Sequence, residues 1–105
     1  MNLIKVSATS RAASVAGAIA GIVREYQRAE VQAIGAGAVN QAVKALILAT
    51  GYLRLDGIQV SFVPEFADVT IEDKVRTAIK LTVEPEELRK ISAEISIPDQ
   101  VEMGG

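Results

Sequence analysis

Gly35-Ala36-Gly37 stands where a strand-like segment, VQAIG, passes into a helix-like one, AVNQAVKALILATGYL, and Asn40, Gln41 and Lys44 follow within two turns. Glycines let backbones approach closely, and an opening helix offers unpaired N–H groups with partial positive charge. A joint of this kind either packs tightly on a neighbour or holds an anion. Asn40 and Gln41 suit hydrogen bonds to backbone or to base edges, and Lys44 suits a phosphate. A lone G-x-G lacks the six-residue dinucleotide fingerprint, so Gly35 and Gly37 are read first as packing residues, including at a dimer interface. Upstream, Thr9, Ser10 and Arg11 sit in a loop with Ser7 and Ser14 close by, and hydroxyls with a guanidinium are phosphate-binding chemistry. Downstream, Lys74 and Arg76 are interspersed with Asp68, Glu72 and Asp73. That mixture predicts a solvated arm, without the glycine-punctuated Asp spacing of a calcium loop.

Composition narrows the chemistry further. With 105 residues the chain has the size of one domain. It contains no Cys and no His, which removes disulfides, thiol nucleophiles, imidazole bases and the common zinc and haem ligand sets. No catalytic residues, cofactor or metal site are therefore expected. Half the residues are hydrophobic but only 4% are aromatic, so the interior must be built from Val, Ile, Leu and Ala. The net charge of −2 is uneven: residues 1–84 carry nine Lys/Arg against eight Asp/Glu, and residues 85–105 carry two against five. A near-neutral body is not the strongly basic footprint of a tight non-specific DNA binder, so any nucleic-acid contact must come from a local patch. The apolar stretch Ala12 to Val23 is too short for a bilayer, which needs about 20 residues, and it leads into Arg24-Glu25. A cytoplasmic protein without membrane contact is the expectation.

The elements that must position these groups follow from periodicity. Leu3, Ile4 and Val6 predict a strand over 2–7. Ser14 is the expected cap of a helix over 14–27, with Val15, Ile19, Ile22, Val23 and Tyr26 inward and Ala13, Gly17 and Gly21 on a second ridge of small residues. Interior glycines cost about 0.8–1 kcal/mol each against Ala, so Gly17 and Gly21 predict a backbone held against a neighbouring element. Val31, Ala33 and Ile34 predict a buried strand, and a helix is expected from about 38 to 53 with Val39, Val43, Leu46, Ile47 and Thr50 inward and Gln41, Lys44 and Arg54 outward. A third strand begins near 58 and must end, bend or lie at an edge by Pro64. Asp68 to Glu72 then forms an arm turning at Asp73-Lys74, and a fourth strand over 78–83 is closed by Pro85. The order β-α-β-α-β-β with right-handed crossovers places both helices on one face of a four-stranded mixed sheet, an α/β (α+β) two-layer sandwich. Residues 1–85 form the domain. Residues 86–105 are an extension, with a short helix expected at 86–92 and a tail that is either disordered or docked on the body.

The segments LIKVSATSRAASVAGAIAGIVRE, AEVQAIGAGAVNQAVKALILATGYL and RTAIKLTVEP closely resemble the stage V sporulation protein S family, whose members are similar to short Alba-type domains. The resemblance covers residues 2–85. It implies an Alba-like fold, a homodimer, and a regulatory, nucleic-acid-associated role in sporulation or cell development rather than catalysis. In Alba-type proteins the loop after the first strand carries basic residues that meet nucleic acid, and the hairpin of the last two strands reaches along a groove. Carried over, this nominates Thr9, Ser10 and Arg11 in the loop and Lys74 and Arg76 on the hairpin, beside the Asn40, Gln41 and Lys44 read above from the start of the second helix. The loop here holds one charge where Alba-type binders hold more, a departure that weakens inherited DNA affinity. A protein-interaction or scaffold dimer with no nucleic-acid binding is the alternative.

Overall fold

A computed structural model describes residues 2–87. The chain runs β1 (Leu3–Val6), α1 (Ala12–Tyr26), β2 (Ala29–Ala33), α2 (Ala36–Leu55), β3 (Val60–Ile71) and β4 (Lys74–Pro85). The strands form one mixed sheet in the order β1-β2-β4-β3. β1 and β2 are parallel, as a helical crossover requires, and β4 is antiparallel to both of its neighbours. This is the predicted two-layer α+β arrangement. The fourth strand is longer than expected, and the turn lies at Glu72-Asp73, one residue earlier than the Asp73-Lys74 turn predicted. Both turn residues have positive φ, 49° and 63°, the geometry of a type I′ hairpin whose twist matches that of its strands. Pro64 lies inside β3, tolerated because β3 is the edge of the sheet.

One sheet face carries the core. Ala29, Val31 and Ala33 of β2 pair with Val83, Leu81 and Ile79 of β4, and the helices cover that face. On the other face the cross-strand row Lys5–Gln32–Lys80–Glu65 lies open. Between the helices the contact is built of small residues: Ala16 and Ala20 of α1, and Ala38, Ala42, Ala45 and Ala49 of α2, are all buried. Ile19, Val23, Val31, Leu53 and Val83 are the largest fully buried side chains. Each contributes about 1.5–3 kcal/mol against exposure.

The inward stripes differ from those predicted. In α2 the alanine stripe faces in with Leu46 and Leu53, while Val43 and Ile47 point to solvent, Ile47 at 66% exposure. In α1 Tyr26 is exposed, and Val15 and Ile22 flank the core instead of filling it. Two helices lying close together on one sheet face leave room between them only for methyl groups, so larger side chains are displaced to the flanks. α1 also begins earlier than expected, with Arg11 rather than Ser14 at its N-cap position and no side-chain cap. Gly17 and Gly21 are not held against another element: each is exposed, and a Cβ at either meets nothing within 4 Å. The helix expected at 86–92 and the rest of the extension lie outside the described residues beyond Glu87.

Candidate functional site

Strand register brings the candidate groups to one end of the molecule. β1 and β2 finish together at the pair Val6–Ala33, and the loop to α1 and the start of α2 both leave from there. Ile79 of β4 pairs with Ala33, so residues 74–78 and their partners 67–71 on β3 project beyond the last residue of β2 as a two-stranded arm. Thr9, Ser10, Arg11, Asn40, Gln41, Lys74 and Arg76 thus share this upper end, although loop, helix and arm are far apart in sequence, and Lys44 lies farther down, near the middle of α2.

The loop after β1 is tied together by its own hydroxyls. The Ser7 backbone N–H donates to Ser10 Oγ at 2.8 Å, Ser7 Oγ lies 3.1 Å from Thr9 Oγ1, and Gln41 Nε2 donates to the Ser10 carbonyl at 2.7 Å. Thr9 and Ser10 are therefore loop-forming residues, and Gln41 is half-buried as the strut that fastens loop to helix. What the loop turns outward is the exposed Arg11. Asn40 and Lys44, spaced i, i+4, are exposed on one face of α2.

The two glycines at the joint act by different means. Gly35 is the N-cap residue at φ 91°, a conformation that any residue with a Cβ strains to adopt, and it has open space around it. Gly37 is hemmed in: a Cβ there would lie 3.0 Å from Ala8 Cβ, a contact that the loop would have to relieve by a few tenths of an ångström. The close approach expected of both therefore belongs to Gly37 alone, and its neighbour is the Ser/Thr loop itself.

Ion pairing divides the described cations by position. Arg24 pairs with Asp56 at 2.6 Å, Arg28 with Glu30 and Glu84, and Lys80 with Glu30 and Glu65. Those pairs lie on the lower end and the middle of the open face. Arg11, Lys74 and Arg76 at the upper end, Lys5 in the same cross-strand row as Lys80, and Lys44 near the middle of α2 form no ion pair among the described residues, and of the other cations only Arg54 shares that condition. The acids at the upper end are on the arm. Asp68 points to the helix side of the sheet, opposite Thr77, and Glu72 and Asp73 form the turn.

Two cavities complete the geometry. One of about 440 Å³ at the lower end is lined by Gln27, Gly57 to Gln59, Pro85, Glu86 and Glu87, a neutral-to-acidic wall. The other, about 310 Å³, lies at the upper end between the arm and the ends of β1 and β2, and includes Lys5 and Gln32. Neither residue stands out by sequence pattern. They are nominated only by the pairing Lys5↔Gln32, which sets them side by side facing the arm.

Residues 2–86 match the family model described as Stage V sporulation protein S. The chain belongs to that family.

Proposed function

We propose that this chain is a non-enzymatic regulatory protein that works in the cytoplasm as a homodimer and binds nucleic acid with the upper end of the fold. Family membership supports a sporulation-related role. The observation that carries the nucleic-acid reading is that Arg11, Lys74 and Arg76 at the upper end, with Lys5 beside the arm and Lys44 on α2, have no ion-pair partner among the described residues, while Arg24, Arg28 and Lys80 are paired. Unpaired cations keep their full attraction for phosphate, and releasing the counterions of a bound strand makes the affinity fall linearly in log salt. The projecting arm and the loop supply two arms of a clamp. Arg11 and Arg76 can each hold a phosphate in bidentate fashion. The test is a salt-series titration with duplex DNA, single-stranded DNA and RNA of equal length. Affinity that falls linearly with log salt for at least one of them supports the reading; no binding at low salt defeats it.

A scaffold dimer without nucleic acid is the second reading, and a specific surface favours it. Val43, Ile47, Leu48, Tyr52 and Leu55 line the outer side of α2, with Leu55 at 88% exposure, and Phe66 stands 78% exposed on β3. Apolar surface of that extent marks an association site. In either reading the chain sediments as a dimer at low micromolar concentration, and a concentration-independent monomer contradicts both.

A further inference from the structure

The cavity beneath the arm has the chemistry of a nucleobase pocket. Its polar lining comes from Lys5, Ser7 and Gln32, its apolar lining includes Ile34, Val69 and Ile71, and its volume of about 310 Å³ accommodates one base with its sugar. Residues 65, 67, 69 and 71 of β3 alternate onto the open face that Lys5 and Gln32 occupy, so the arm curves back and turns Val69 and Ile71 toward β1 and β2. The Gln32 side chain makes no hydrogen bond among the described residues, leaving an acceptor and two donors for a ligand. That combination matches the hydrogen-bonding edge of a planar heterocycle.

Cations flank the pocket in register. Lys74 pairs with Ile71 and Arg76 with Val69, so the two β3 side chains that turn onto the open face at the pocket each have a basic residue directly opposite, and Lys5 closes the β1 side. None of the three forms an ion pair among the described residues. An amide beside aliphatic walls, bordered by three free cations, fits a base with phosphates on either side of it.

Resting on the nucleic-acid reading above, we infer that this pocket takes a single unstacked base, which makes single-stranded nucleic acid the preferred ligand of the upper end. A base inside a duplex has its pairing edge occupied and its faces stacked. Extracting it costs a few kcal/mol, which an unpaired strand does not incur. Aliphatic walls replace the aromatic platforms common in such sites, so discrimination rests on the Gln32 amide and on shape.

The experiment titrates the full chain with a fluorescently labelled single-stranded oligonucleotide, the matching duplex and the free mononucleotide, for the wild type and for Gln32→Leu and Ile71→Trp. Gln32→Leu removes the amide at nearly constant volume, and Ile71→Trp fills the cavity from a side chain that faces it and is partly exposed. Melting temperatures confirm that both variants fold. The single strand is expected to bind at least tenfold tighter than the duplex, and either substitution to bring it down to the duplex level. Equal affinity for duplex and single strand in the wild type, or a preference that survives both substitutions, overturns the pocket while leaving the phosphate-binding reading in place. Mononucleotide binding as tight as that of the strand overturns the assignment to a strand. Absence of binding to every probe removes the nucleic-acid reading and this inference together.

Discussion

At the scale of single residues, Gly35 and Gly37 look alike in the sequence and are constrained by different physics. Gly35 needs its φ of 91°, whereas Gly37 needs the space that Ala8 leaves. A mutant cycle separates the two. Gly35→Ala is expected to cost about 1 kcal/mol or more through backbone strain whatever surrounds it. Gly37→Ala is expected to cost a similar amount against Ala8, and Ala8→Gly should recover most of that loss without relieving Gly35→Ala. Denaturant melts of the five variants measure it, and additivity of Gly37→Ala with Ala8→Gly would mean that the two do not touch. The identity of the joint was legible in the sequence because glycine announces itself. Its mode of action was not, since a close contact with Ala8 depends on where the loop after β1 is folded. The same limit applied to Thr9, Ser10 and Gln41: the hydroxyls suited phosphate and the amide a base edge, but Thr9 bonds the Ser7 hydroxyl, Ser10 accepts from the Ser7 N–H, and Gln41 donates to the Ser10 carbonyl.

For whole elements, order and type were legible in the sequence, and the buried face of each helix was not. Apolar periodicity in α2 supports two stripes, one of Val43 and Ile47 and one of Ala38, Ala42, Ala45 and Ala49. Hydrophobicity favours the larger residues, while close packing of two helices favours the alanines, and packing prevails. On α1 the glycines followed the same logic to a different end, lying exposed on the ridge away from the core. Gly17→Ala and Gly21→Ala should therefore each stabilise the chain by about 0.5–1 kcal/mol, the ordinary helix-propensity gain. Thermal melts check this, and destabilisation would mean that a second copy packs on that ridge. The arm offers a parallel test, because Glu72 and Asp73 adopt the positive φ that Asn-Gly takes more readily. Glu72→Asn with Asp73→Gly should raise stability by a few tenths to about 1 kcal/mol, read from urea midpoints. A lowered midpoint would show that the turn carboxylates make contacts that outweigh backbone preference.

Over the whole molecule, a nearly neutral chain separates its charges by pairing rather than by number. Exposed pairs such as Arg24–Asp56 add only about 0.2–1 kcal/mol to stability, but they take their cations out of competition for phosphate. The uneven composition between body and extension was legible in the sequence; the uneven pairing within the body was not, because it follows from strand register and from which helix end meets which strand end. The most direct measurement compares the salt dependence of nucleic-acid affinity for the wild type, Arg76→Ala and Arg54→Ala. Both substitutions remove one unpaired arginine and change the net charge equally, but Arg76 lies on the arm and Arg54 near the opposite end of α2. Arg76→Ala should weaken binding and flatten the slope of log affinity against log salt by about 1, with Arg54→Ala leaving the slope at the wild-type value. Equal effects from the two substitutions, or a greater effect from Arg54→Ala, would contradict an interface at the upper end.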